Sequence, residues 1–87
     1  MKREDLKRAI ELNKEIEELE RNRNFLEANT KNCSYDIGFN GERYNAVICV
    51  SELSQIEALE DVEKFKNIIL EKFNNKIEEL TKEFESL

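Results

Sequence analysis

Residues 36–50 read DIGFNGERYNAVICV, set between two long segments of charged, helix-period sequence. Their apolar residues alternate instead of recurring every three or four positions, and Asn40-Gly41 falls between the two alternating runs. An Asn-Gly pair in that setting predicts a β-hairpin with a two-residue type I′ turn, because both central residues of that turn need positive φ. The hairpin is expected over about residues 33–49. In this register Phe39 pairs with Glu42, Ile37 with Tyr44, Tyr35 with Ala46 and Cys33 with Ile48. One face then carries Cys33, Tyr35, Ile37, Phe39, Tyr44, Ala46 and Ile48 and is almost wholly apolar. The other carries Ser34, Asp36, Gly38, Arg43, Asn45, Val47 and Cys49. The apolar face must cover something, since a lone two-stranded hairpin is marginal in water. Asp36, on the second face, is expected to matter little for folding beyond a diagonal pair with Arg43.

The flanking segments follow a different period. Leu6, Ala9, Ile10, Leu12, Ile16, Leu19 and Leu26 share the three-and-four spacing of one helix face, which predicts a helix over about residues 3–28. Arg23 interrupts that stripe between Leu19 and Leu26, and its stem is expected to snorkel toward Glu20 or Glu27. The run Asn29, Thr30, Lys31, Asn32 ends the helix, because such side chains compete for the backbone. After the hairpin, Ser54-Gln55-Ile56-Glu57 fits a capping box, and neither Gly nor Pro follows. One helix is therefore expected over about residues 51–86, near 50 Å long against about 40 Å for the first. Its main stripe is Leu59, Val62, Ile69, Phe73, Ile77, Leu80, Phe84 and Leu87, with Lys66 filling one seam position. Ala58, Phe65 and Ile68 lie on an adjoining flank, and Phe25 projects off the first helix's seam.

These elements define the expected fold class, mainly α with a small β part in a single domain over residues 1–87. It is an antiparallel two-helix, coiled-coil-like hairpin joined by a two-stranded β-hairpin. Two helices cannot enclose a core, so homo-oligomerisation should complete it, with Phe25, Ile37, Phe39, Phe65, Ile68 and Phe73 as candidate interface residues. A domain of this length is in any case thin-cored.

Composition narrows the function. The net charge is −6, from 20 acidic and 14 basic residues, and the surplus is concentrated in residues 51–87. No basic cluster is present to meet duplex nucleic acid. The opening MKREDLKRAIELNK lacks an apolar signal-peptide core, and no run approaches the roughly 20 apolar residues that span a bilayer. A cytoplasmic protein of a bacterial cell is expected, and abundant Asn, Lys, Ile and Glu without Pro, His or Trp fits an AT-rich coding source.

Catalytic and metal chemistry find little support. Histidine is absent, Cys33 and Cys49 fall on opposite hairpin faces, and the adjacent carboxylates Glu17-Glu18 and Glu78-Glu79 do not face one another on a helix. Both glycines belong to the hairpin and not to a phosphate-cradling loop. No enzymatic activity, cofactor or metal is expected. The residues that combine charge or hydrogen bonding with a stacking surface are Arg43, Tyr44 and Tyr35, together with the seam cations Arg23 and Lys66. They are the candidate ligand-binding set, because Arg and Tyr together hold a base and a phosphate.

The order helix, β-hairpin, helix resembles a shortened prefoldin-subunit layout. In size and acidity the chain is similar to accessory proteins encoded by phages and other mobile elements, which implies a role in countering host defence. The expected function is thus a non-catalytic, homo-oligomeric protein that sequesters a small anionic, nucleotide-like signal at subunit interfaces. The alternatives are an inhibitor or adaptor that binds a host protein through its acidic C-terminal helix, and a structural coiled-coil assembly protein.

Overall fold

The computed structural model describes residues 2–31 and 35–87, in the order α1 (Arg3–Asn29), β1 (Ile37–Asn40), β2 (Asn45–Ile48), α2 (Val50–Gln55) and α3 (Leu59–Glu85). The fold is mainly helical with one antiparallel two-stranded sheet. Among the described residues no helix is long and apolar enough to cross a membrane.

α1 and α3 lie side by side and run in opposite directions. Arg8 near the start of α1 bonds Glu83 near the end of α3 at 3.0 Å, Arg23 reaches Asn74 at 3.0 Å, and Lys66 meets the Thr30 carbonyl at 3.4 Å. The hydrogen bond from Arg8 to Glu83 raises the guanidinium pKa, while its desolvation works in the opposite direction. Between the helices Ala9, Leu12, Ile77 and Leu80 are buried, and Leu12 has no exposed surface. Leu6 and Ile10, expected on this seam, are instead exposed, because they project beyond the single row of side chains that one neighbour covers.

α1 ends as its polar run predicts. Asn29 and Thr30 each donate a side-chain hydrogen bond to a carbonyl four residues back, at 2.8 and 2.6 Å, in the local competition for the backbone expected of such residues.

The second helical segment is not continuous. Ile56, Glu57 and Ala58 break it, with Glu57 at φ 58°. The Ala58 N–H donates to Leu53 O at 2.8 Å and the Glu57 N–H to Ser54 O at 3.1 Å, the bond pair of a Schellman ending. Ser54 thus ends a helix and does not cap the start of one. The break leaves α3 with 27 residues, equal to the 27 of α1, and the two pair with an offset, since Lys66 lies opposite Thr30 at the end of α1. It also turns α2 so that Leu53 is buried, where a straight extension past the end of α1 would leave it in water.

The hairpin register differs from the Asn-Gly expectation. The observed pairs are Ile37 with Ile48, Gly38 with Val47, Phe39 with Ala46 and Asn40 with Asn45. The Gly41 N–H donates to Tyr44 O at 2.9 Å, which leaves Glu42 and Arg43 at the tip. Among the described residues only Glu57 has positive φ, so the tip is not a type I′ turn. Gly41 is required for a different reason: a Cβ there would stand 2.8 Å from the Tyr44 carbonyl oxygen. Relative to the predicted pairing, each residue of β1 meets a partner four positions further along. A slip by an even number keeps every side chain on its face, so Ile37, Phe39, Ala46 and Ile48 still share one side. Cys33, whose predicted pairing was with Ile48, lies outside the described residues.

Coverage of that side is partial. Ile37 and Ile48 are half-buried, whereas Phe39 is exposed. Asp36 accepts a hydrogen bond from the Val50 N–H at 3.2 Å and so serves the first turn of α2. It forms no ion pair with Arg43.

Two substitutions test these local readings. Glu57→Gly removes the roughly 1–2 kcal/mol left-handed penalty of a side chain, and is expected to leave stability in urea unchanged or raise it by up to about 1 kcal/mol. In an unbroken helix it would lower stability by about 1 kcal/mol. Gly41→Ala should abolish the cross-strand nuclear Overhauser contact between Phe39 and Ala46. Gly38→Ala, where nothing lies within 4 Å of an added Cβ, should retain it.

Candidate functional site

The five candidate ligand-binding residues divide into three places. Arg43 and Tyr44 occupy the exposed hairpin tip, Tyr44 being 83% exposed. Arg23 sits midway along the helix pair, where it bonds the Asn24 side chain at 3.2 Å as well as Asn74, and not Glu20 or Glu27. Tyr35 and Lys66 are brought together, although 31 positions separate them in the chain.

They meet in an apolar groove of ≈ 240 Å³ where the hairpin strand leans over the helix pair. α1 supplies Leu26 and Thr30, the segment entering β1 supplies Tyr35, Asp36 and Ile37, and α3 supplies Val62, Phe65, Lys66 and Ile69. The α3 residues follow from spacing, since positions 62, 65, 66 and 69 share one flank of a helix. Phe65 is 63% exposed on the groove's rim.

A polar network fixes the groove floor. Glu63 receives the Tyr35 hydroxyl at 3.2 Å on one oxygen and is ion-paired with Lys66 through the other. Lys66 also donates to the Thr30 carbonyl, and Thr30 is itself buried. The Lys66 side chain is only 14% exposed, so its charge depends on Glu63 for compensation. Among the described residues no buried side-chain nitrogen or oxygen lacks a partner. The groove therefore combines two aromatic faces with one half-buried, already neutralised cation. An incoming anion must share Lys66 with Glu63 and the Thr30 carbonyl.

The same flank continues along the helices. A second depression of ≈ 280 Å³ is lined by Leu19, Ile69, Lys72, Phe73 and Lys76, and a third of ≈ 290 Å³ by Glu15, Glu18, Leu19, Asn22, Lys76 and Leu80. Sequence reasoning overlooked Lys72 and Lys76. Their i, i+4 spacing beside the apolar stripe was the available signal, although solvated faces carry such pairs as well.

Cys49 precedes α2, half-buried, with its thiol bonded to the Glu52 carboxylate at 2.7 Å. Among the described residues no three His, Cys, Asp or Glu side chains gather as a metal site would require. No protein-family model, curated protein or solved structure matches this chain.

The bond from Val50 to Asp36 ties the groove segment to α2. Asp36→Ala should cost about 0.5–1 kcal/mol in urea denaturation, at the lower end for a lost helix cap. Asp36→Asn keeps the acceptor and should cost less than half as much. Equal costs for the two variants would assign the effect to charge and not to the bond.

Proposed function

We propose that this chain is a non-catalytic, homo-oligomeric binding protein whose ligand, a small anionic nucleotide-like molecule, enters the groove shared by Tyr35, Phe65 and Lys66. The observation that supports this reading is the convergence of Tyr35 and Lys66 beside an exposed Phe65. Aromatic faces accept a base by stacking, worth about 1–3 kcal/mol per base. The Lys66 ammonium is a compact donor for phosphate oxygens. At ≈ 240 Å³ the groove is smaller than the roughly 300–1,000 Å³ of a typical ligand site. A nucleotide would project from it, and a second copy must supply the remaining wall. On this reading the protein acts in the cytoplasm of a bacterial cell, as a phage-type counter-defence factor that holds a signal stoichiometrically.

A second reading is favoured by the corner between α2 and α3. There Ile56 is 67% exposed next to Glu57, Glu60 and Asp61, a combination suited to a basic, partly apolar surface on another protein. Such a complex would weaken as salt rises. A structural assembly protein would show neither behaviour.

Thermal shift against linear and cyclic mono- and dinucleotides decides the ligand reading. Saturation at about 100 times Kd stabilises by about 2.7 kcal/mol, which raises Tm by at least about 10 °C for a chain this short. Lys66→Met should lose the shift for phosphorylated compounds while retaining a folded, helical spectrum. No shift with any compound would reject a nucleotide-like ligand.

A further inference from the structure

Beyond the end over which the hairpin leans, the flank formed by the joined depressions is uncovered, and its two rims carry opposite charge. Glu15 and Glu18 of α1 line one side and Lys72 and Lys76 of α3 line the other; Glu18 and Lys76 line one depression together, whereas Lys72 lies further along, toward Arg23 and Asn74. Among the described residues Glu15, Glu18 and Lys72 have no ion-pair partner, and Lys76 has only an exposed contact with Glu79 at 3.4 Å. The floor between the rims is apolar, with Leu19, Leu26, Ile69 and Phe73.

The exposed area argues that something covers this flank. A compact chain of 10.3 kDa exposes about 5,400 Å². This chain exposes 7295 Å². The surplus of about 1,900 Å² is more than twice the roughly 800 Å² that each partner contributes to a standard interface. The radius of gyration, 17.7 Å against about 12 Å for a compact chain of this length, describes a flat layer measuring 58 × 29 × 16 Å and not a closed globule.

We infer that a second copy of this chain covers the flank, related by a two-fold axis that lies in the interface parallel to the helices. Face-to-face packing of two such layers allows only two in-plane axes along principal directions. An axis perpendicular to the helices, placed level with Glu18 and Lys76, stacks α1 on α1 and α3 on α3 and so sets Glu18 and Lys76 each against its own copy. The parallel axis stacks α1 of each copy on α3 of the other. This axis preserves level along the helices, so Glu18 meets the partner's Lys76 and the apolar floors close on each other; adjacent helices are antiparallel with either axis. This specifies the self-association in the reading above and is independent of any ligand.

Sedimentation equilibrium on the full chain, without nucleotide, tests the arrangement. The unaltered chain should dimerise, and Lys72→Glu/Lys76→Glu and Glu15→Lys/Glu18→Lys should each weaken the dimer by about tenfold or more, since exposed pairs contribute up to about 1 kcal/mol each and the symmetry repeats them. An equimolar mixture of the two variants should recover affinity to within about threefold of the unaltered chain. Charge changes within one chain cannot produce recovery on mixing. A milder pair, Lys72→Gln/Lys76→Gln, covers the case in which a charge-reversed chain does not fold, and its dimer should lose most of the salt dependence of the original. A monomeric unaltered chain, charge-reversed variants that bind as tightly as the original, or a mixture no tighter than its components would each overturn the arrangement. A dimer that behaves as described but shifts with no nucleotide would retain the interface and remove only the ligand.

Discussion

The seam between α1 and α3 is a single row of side chains, and the rest of the structure depends on what that row leaves uncovered. Ala9, Leu12, Ile77 and Leu80 are buried along it, and Leu53 adds one buried residue from α2. A helix with one neighbour can bury only a narrow stripe, whereas the apolar residues of α1 and α3 spread over a wider arc. Leu19, Leu26, Val62, Ile69 and Phe73 are therefore half-covered at the edge of the seam, and Phe25, Phe65 and Ile68 stand outside it. The exposed groove and the surplus surface are consequences of this one constraint.

Polar residues set the alignment of the helices where apolar packing leaves it free. A row of aliphatic side chains tolerates sliding by a turn, since Leu, Ile and Phe pack acceptably against several neighbours. Arg23 with Asn74, and Lys66 with the Thr30 carbonyl, do not tolerate it, because a shift would break each of these bonds between the helices. Both occupy seam positions that break the apolar stripe. Polar residues placed in this way specify register at a cost in stability.

The sequence was legible where local chemistry and tertiary packing agree. The span of α1 and its termination at Asn29 and Thr30 followed from periodicity and turn-forming side chains. The two-faced hairpin was also legible, and its faces survived a wrong register because the displacement was even. Asn40-Gly41 misled because Gly41 serves a close approach to Tyr44 and not a positive φ, and the two uses of glycine look alike in a sequence. The break at Glu57 was illegible for the opposite reason: a left-handed residue there carries no glycine to announce it. Two of the five candidate binding residues were misplaced by the same error. With the tip at Glu42 and Arg43, Arg43 and Tyr44 move away from Tyr35, whereas Lys66 reaches Tyr35 through helix spacing that no turn assignment affects.

Energetics connect the thin seam to assembly. Removing a buried Leu side chain to Ala costs about 2–5 kcal/mol, and a domain's whole stability is about 5–15 kcal/mol. With five buried apolar side chains among the described residues, the chain has few such contributions to set against the entropy of ordering its backbone. The area that a single copy leaves exposed is therefore the main reserve of stabilisation still open to it, at about 25 cal/mol per Å² of apolar surface. In the proposed dimer, folding and association would draw on the same side chains, and the population of folded chain would rise with its concentration. The groove at Tyr35 and Lys66 lies at one end of that shared flank, continuous with its floor through Ile69. A partner that ordered the flank would therefore also order Phe65 and the Lys66–Glu63 pair beside it.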